Sequence, residues 1–530
     1  MMKVLVSDKL SKEGIDKLLE AGIAVDERLD LSEDELVEII GDYDGLLVRS
    51  GTQVTKRIIE AGRKLKVIGR AGVGVDNIDL AAASQRGIVV INAPEGNTLA
   101  AAEHTIAMLL ALARNIPQAH LCLTVQRKWD RKNFMGVQVE GKTLGVIGLG
   151  RIGKLVAERA RALKMQVVGY DPYLSAEVAK KLGVELLDFE RVLERADFLT
   201  FHIPKTKSTE NMIGPREFGL MKQGVRIVNC ARGGIIDEDA LYEAIRSGKV
   251  AGAALDVFCC EPPELDHPLF SCSQVVVTPH LGASTSEAQV HVAVDVAEQA
   301  IRVLKGEPFK NAVNLPEFRP ELMEKLAPYM DLAERLGSVY TNLVGGNHQN
   351  IEVVYRGSIA NSEVGPLTTA VLKGMLEPIL HGEVNYVNAP LLAKERGIRV
   401  AEVREAEKNG EHGVIVIRNT TAGDKEGRMV AGNLTLNGVP QLTRIDGYPV
   451  NVLPADHLLV VYHIDKPGII GQVGTLLGQR EINIAAMQVG RTAISGNAVM
   501  VLSVDCPVPE DVLAEIMKLQ YVTEVYIAQW

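Results

Sequence analysis

The stretch that most constrains this chain is "VIGLGRIGKLVAERA", in which Gly148, Gly150 and Gly153 fall at G-x-G-x-x-G spacing, directly after an apolar run and at the start of a helical pattern. Glycines at this spacing let a strand turn tightly into a helix, let the backbone approach a bound group, and let the helix pack closely on the strand. The helix start then offers unpaired N–H groups and the positive end of its dipole to a pyrophosphate. Asp171 ends the next apolar run, 23 positions after Gly148, where a carboxylate can accept from both hydroxyls of an adenosine ribose. Strand, helix and acid in register predict a dinucleotide site on a doubly wound α/β sheet. The carboxylate would repel a 2′-phosphate, and the next residues, Pro172 and Tyr173, bring no cation, so NAD is favoured over NADP.

A chain of 530 residues is too long for one hydrophobic core. Before the glycine motif, "KVLVSD", "DGLLVRS", "KVIGRAG" and "GIVVINAP" alternate with helical patterns such as "SKEGIDKLLEAG", the signature of a parallel sheet. One long helix, roughly Leu99 to Leu123, then leads into a second α/β series that runs to "QVVVTPH". From about Pro316 the pattern becomes mixed, with a hairpin signal at Asn437-Gly438. From His457 it becomes strand, helix, strand, strand, helix, strand, a small βαββαβ unit.

Composition removes several function classes. A formal charge of −10 argues against a nucleic-acid-binding surface. The longest apolar stretch, "TIAMLLALA", stops at Arg114, short of the ~18 residues of a membrane span, and predicts none. Cys122, Cys230, Cys259, Cys260, Cys272 and Cys506 include no CxxC pair and no zinc spacing, so neither metal nor disulfide framework is expected and a reducing cytoplasm fits.

Parallel strands deliver functional groups at their C-terminal ends. There stand Cys230-Ala231-Arg232 after "VRIVN", Asp256 and then Glu261 after "AALDVF", His280 after "VVVTP", and His202 after "DFLTF". A cation, a carboxylate and an imidazole suit reversible hydride transfer on a 2-hydroxy acid. His280 would take the hydroxyl proton, Glu261 would fix its tautomer, and Arg232 would clamp the substrate carboxylate. Each also has a plainer reading: Arg232 as a cap of the Gly233-Gly234 turn, Glu261 as a solvated loop acid, Asp256 as an acceptor for nearby N–H groups. His202 is balanced between cofactor packing and a structural place. In the first region, Arg49 follows one strand and Arg70 another; Arg49 could hold a phosphate, and the backbone N–H groups of Val73 and Gly74 a carboxylate.

"GLGRIG", "NCARGGIIDE", "ALDVF..EPP" and "TPHLGAST" together resemble the D-isomer-specific 2-hydroxyacid dehydrogenase family. The resemblance implies that Arg151 and Ile152, Asp171, Cys230 to Arg232, Asp256, and His280 with Gly282 and Ala283 line NAD, with Val73 beside it. It implies a Rossmann-type NAD domain, residues 98–286, inserted in a flavodoxin-like lid domain, residues 1–97 and 287–315. An intervening mixed α/β domain, 316–454, and a ferredoxin-like ACT domain, 455–530, would follow. It further implies D-3-phosphoglycerate as substrate, with Arg131 or Lys132 reaching it across a dimer interface, in a homo-oligomer that is a tetramer or a dimer. The ACT resemblance places a small amino acid, L-serine, beside His463, Asp465 and Asn483, read as adjacent loop ends where the helix after Pro467-Gly468 begins, in a site shared between two such units; assembly alone is the plainer reading of that unit. An enzyme for an unphosphorylated acid such as glycerate, and a non-catalytic NAD-sensing scaffold, remain as alternatives.

Overall fold

The computed structural model describes residues 1–315, 320–345, 349–380, 384–405, 413–419 and 427–530. The boundary expected at 316 lies outside the described residues.

The first sheet holds β1 (Lys3–Val6), β2 (Ala24–Glu27), β3 (Gly45–Val48), β4 (Val67–Arg70) and β5 (Val89–Asn92), parallel and in the flavodoxin-like order β2-β1-β3-β4-β5. Its core is completed from far along the chain. Helix Ser286–Lys305 lays Val292, Ala293, Val296 and Ala300 against Val4, Val6, Leu47 and Val67. Asn314 Oδ1 accepts from Val90 N–H at 2.9 Å, so the segment after that helix is also stitched to this sheet.

The second sheet holds β6 (Thr143–Ile147), β7 (Gln166–Tyr170), β8 (Glu185–Leu186), β9 (Phe198–Phe201), β10 (Val225–Asn229), β11 (Val250–Leu255) and β12 (Val275–Val277) in the order β12-β11-β10-β9-β6-β7-β8. All pairings are parallel, and the order reverses at β6, which opens a crevice at the carboxyl ends. The single long helix expected over 99–123 is instead two, Thr98–Arg114 and Ile116–Thr124, bent by 64°. Asn115 takes a left-handed φ of 53° at the break and Pro117 follows in the next first turn, so the hydrogen-bond ladder cannot run through.

The remaining units share one core. A six-stranded sheet from Asn350 to Val452 carries the hairpin at Gly438, where φ is 76°. The last four strands stand in the order Ile484–Arg491, Asn497–Val504, His457–Ile464, Val522–Ala528, all antiparallel, with two helices in βαββαβ sequence. Val460, Val501 and Trp530 from this unit pack in the same cluster as Tyr340, Tyr355 and Leu442. Arg428 bridges the two, bonding Asp446 at 2.7 Å on its own side and Glu524 and Tyr526 on the other. The pair meets the first sheet's domain where Asn385 Nδ2 donates to Gly87 O at 2.8 Å and Val387 enters the core.

Candidate active site

The glycine motif folds as its spacing requires. Gly148 adopts φ of 90°, and a side chain there would collide with the His202 carbonyl. Gly153 lies against the Gly148 carbonyl at the first turn of helix Arg151–Ala162, while the Cβ position of Gly150 faces open space. The three glycines thus turn, leave room, and pack, in that order. Asp171 Oδ2 accepts from Leu149 N–H and Oδ1 from Tyr173 N–H, both at 2.9 Å, so the carboxylate stands at the mouth of the turn with no cation bonded to it among the described residues. Arg151 is exposed and Ile152 half-buried at the helix start. His202 packs beside the turn; burial pushes it down to about 3, so the imidazole is neutral, with Nε2 3.2 Å from Thr200 Oγ1. Cys230, next to Ala231 at the end of β10, is pushed up to about 12 by burial and then by Asp256, and stays an unreactive thiol. These residues fit the adenosine and pyrophosphate of a dinucleotide.

A cleft of about 390 Å³ lies between the two sheets, lined by Arg49, Arg70, Val73, Gly74, Arg232, Glu261 and His280 among others. His280 Nδ1 is 2.6 Å from Glu261 Oε2. A carboxylate only accepts, so Nδ1 carries the proton and Nε2 is left as the free acceptor. Burial pushes the Glu261 carboxyl up, but the bonds from His280 and from Phe258 N–H at 3.1 Å outweigh it and hold it below its ordinary range.

His280 sits in a left-handed conformation, φ 53°, that a residue with a side chain adopts at a cost. Asp256 maintains it. This carboxylate is 0% exposed and accepts from Thr278 Oγ1 at 2.5 Å, Leu281 N–H at 2.7 Å and Gly282 N–H at 2.8 Å, with His104 Nε2 at 3.2 Å. The donors straddle His280, and its own N–H bonds the Asp256 carbonyl at 2.9 Å. Asp256, read from the sequence as a cofactor contact or as an acceptor for nearby N–H groups, is here occupied by the loop that carries the histidine and by His104. Ala283 continues that loop along the cleft wall.

The opposite wall is cationic. Arg232 crosses to the first domain, with Nε 3.3 Å from Asp76 Oδ2 and its guanidinium against Gly74. Arg70 is pulled down to about 10 by burial and then by Arg232 and Arg49, with Asp76 and Asp8 opposing. The N–H groups of Val73 and Gly74 bond nothing among the described residues, and neither does the Arg49 guanidinium. Crowded, partly buried guanidiniums with spare donors form a receptor for a compact polyanion. Arg131 and Lys132 are not part of it: both are exposed on the loop after helix Ile116–Thr124, outside this cleft.

Similarity to known proteins decides the family. The family model described as "D-isomer specific 2-hydroxyacid dehydrogenase, NAD binding domain" matches residues 106–282. Those for the "D-3-phosphoglycerate dehydrogenase intervening domain" and the "ACT domain" match 325–446 and 457–520. D-3-phosphoglycerate dehydrogenase of Synechocystis is 49% identical over 99% of this chain and 94% of its own. That of Bacillus subtilis is 43% identical over 99% of both. The chain belongs to the D-3-phosphoglycerate dehydrogenase family. Among solved structures, an Aquifex aeolicus D-lactate dehydrogenase complexed with NAD and lactic acid is 28% identical, with a TM-score of 0.51 over 57% of this chain and 96% of that one. A Staphylococcus aureus NAD-dependent formate dehydrogenase in complex with NAD is 31% identical, with a TM-score of 0.53 over 59% and 98%. This family member is an NAD-dependent dehydrogenase, and the glycine turn and Asp171 fit that cofactor.

The ACT domain of this dehydrogenase corrects one expectation. His463 and Asp465 end the strand His457–Ile464, beside Ala498, whereas Asn483 precedes Ile484, which pairs with Val504. Six residues of strand separate these ends, roughly 20 Å at ~3.3 Å per residue. Asp465 instead bonds Arg491 at 2.9 Å, and Asn483 bonds Asp505 at 2.7 Å, so one chain does not bring them into one site. The physical reason is strand direction: both strands run antiparallel to Asn497–Val504 and hence parallel to each other, so the end of one and the start of the other lie at opposite edges. His463, 1% exposed, has no partner for Nε2 among the described residues, and helix Ile469–Gln479, which begins six residues later, has no side-chain cap among them.

Sequence reasoning missed Asp8, whose carboxylate accepts from Arg49 N–H at 2.5 Å and Thr52 N–H at 3.1 Å and shapes the Arg49 loop. Its place right after β1 was the available signal. His104 and Thr278, which bond Asp256, lie on a helix and a strand edge and carried none.

Proposed function

We propose that this protein oxidises D-3-phosphoglycerate at C2 to 3-phosphohydroxypyruvate, the entry step to serine. The observation that carries this is one cleft holding both the Glu261–His280 pair and the Arg49–Arg70–Arg232 cluster. NAD, when bound, supplies the hydride acceptor. Arg232 and the Val73 and Gly74 N–H groups hold the substrate carboxylate, and Arg49 and Arg70 hold the phosphate, which relieves their mutual repulsion. Nε2 of His280 accepts the C2 hydroxyl proton; Glu261 fixes the tautomer beforehand and stabilises the imidazolium afterwards. Asp256 keeps the imidazole in place by gripping the loop on both sides. Following NADH absorbance with phosphorylated and unphosphorylated 2-hydroxy acids tests the reading. Turnover of D-3-phosphoglycerate well above that of D-glycerate or D-lactate supports it, and preference for an unphosphorylated acid refutes it.

For the ACT domain we propose L-serine as effector, bound between two copies of the chain in a homo-oligomer. The uncapped start of helix Ile469–Gln479 and the unpaired His463 Nε2 suit an amino acid's carboxylate and hydroxyl, Asp465 takes its ammonium, and Asn483 comes from the second copy. Calorimetry with L-serine alongside initial rates checks this; binding without a change in rate would leave the domain as an assembly surface.

A further inference from the structure

Two neighbouring thiols stand directly before Glu261. Cys259 and Cys260 are exposed and unpaired. Glu238 holds Cys259 from two sides: Cys259 N–H donates to Oε1 at 2.7 Å, and its Sγ lies 3.1 Å from Oε2. Glu238 begins helix Glu238–Arg246, is largely buried, and has His267 Nε2 3.1 Å away. Burial first, and this carboxylate second, push the Cys259 thiol up to about 11, and the Cys260 thiol is close enough to act on it as well. Both flanks of the pair touch the cleft. Phe258 N–H bonds Glu261, and a side chain on Gly233 would collide with the Phe258 carbonyl, so the backbone beside Arg232 rests on the same peptides.

We propose that Cys259 and Cys260 form a peroxide-reactive pair, whose oxidation to a disulfide withdraws Glu261 from His280 and disturbs Arg232. The Cys260 thiolate attacks one oxygen of hydrogen peroxide: an S–O bond forms, the O–O bond breaks, and hydroxide leaves. Cys259 then passes its S–H proton to Glu238 and its sulfur attacks the sulfenic sulfur. The S–S bond forms, the S–O bond breaks, and the oxygen leaves as water with that proton. Two electrons pass from the thiols to peroxide. Adjacent Cα atoms are about 3.8 Å apart, less than the ~4.4–6.8 Å of ordinary disulfides, so closing the ring must rotate the peptide between them. That rotation pulls on the Phe258 N–H and on Glu261 itself.

The loss of rate rests on the roles given to Glu261 and Arg232 above; the covalent change does not. The full-length protein is treated with hydrogen peroxide, alkylated, and mapped by mass spectrometry, with initial rates and NAD binding measured before and after dithiothreitol. Loss of two hydrogens on the peptide carrying both cysteines is expected. It should accompany a roughly 10- to 100-fold fall in kcat, the cost of a small misplacement, which dithiothreitol reverses. Cys260→Ser should keep its rate under peroxide, and Cys259→Ser should stop at a sulfenic acid on Cys260 that dimedone traps. The proposal is overturned if both thiols remain alkylatable, if the disulfide forms with the rate unchanged, or if Cys260→Ser loses activity as the parent does. If the untreated protein oxidises no acid, the functional reading fails, while the mass change still decides the thiol chemistry.

Discussion

The cleft of the dehydrogenase domains and the proposed effector end of the ACT domain both draw their polar groups from strand ends, but only in the first do those ends lie together. In a parallel sheet every carboxyl end lies on one edge, so Asp171, Arg232, Glu261 and His280, each read as following a strand, were bound to converge. In the antiparallel ACT sheet the start of one strand and the end of a parallel neighbour lie on opposite edges, and Asp465 and Asn483 part company. A residue's place at a strand end therefore fixes its position in the fold only together with the direction of that strand.

The sharpest way to break the first half of this comparison is His280→Ala. It should lower kcat by roughly 10²-fold or more, while NAD binding by calorimetry stays at the parent's level. A variant within a few-fold of the parent would mean that convergence at the sheet edge had assembled something other than a base.

Asp256→Ala should come next. It strands the Thr278 hydroxyl and the Leu281 and Gly282 N–H groups, at about 1–3 kcal/mol for each buried orphan. A melting point several degrees lower and a clear fall in kcat are expected. The Asp256 carboxyl is pushed up by burial and held down more strongly by His104 and Thr278, to a net value below the ordinary 3.8. Its stabilisation is thus complete above that ordinary value and lost as pH falls through the depressed one. The melting gap between parent and variant should be widest near neutrality and shrink in acid; a gap that widens on acidification would contradict the assignment.

Cofactor choice is a gentler test. Comparing kcat/KM for NAD and NADP should show NAD preferred, with Asp171→Ala narrowing the difference by roughly tenfold, one charge-assisted contact. An NADP preference in the parent would remove Asp171 from the ribose.

The second half of the comparison is sharpened by mixing. Asp465→Ala and Asn483→Ala chains should each bind L-serine about tenfold more weakly. Oligomers assembled from both should regain some sites of parental affinity, because one interface then pairs an intact Asp465 with an intact Asn483. No recovery would place the ligand within single chains.

What was legible in the sequence follows the same physics. The glycine turn was readable because each glycine has one geometric reason, and the Glu261–His280 pair because both flank strands of known direction. The break at Asn115 escaped because an apolar run reads as continuous helix until the left-handed residue is seen. The loop-holding place of Asp256 was legible only as a bond to unspecified nearby N–H groups, because its donors His104, Leu281 and Gly282 are set by tertiary packing that no local pattern encodes. Arg131 and Lys132, read by resemblance as reaching the substrate across a dimer interface, are exposed and lie outside the cleft of their own chain.

The most direct test of the cleft is substrate discrimination in Arg49→Ala and Arg70→Ala, measured as kcat/KM for D-3-phosphoglycerate and D-glycerate by NADH absorbance. Each substitution should lower the value for the phosphorylated acid by roughly 10- to 100-fold, the loss of charge-assisted contacts worth about 1.5–3 kcal/mol, and leave D-glycerate nearly unchanged. Equal losses on both acids, or none on either, would contradict a phosphate held by these arginines and a cleft built for it.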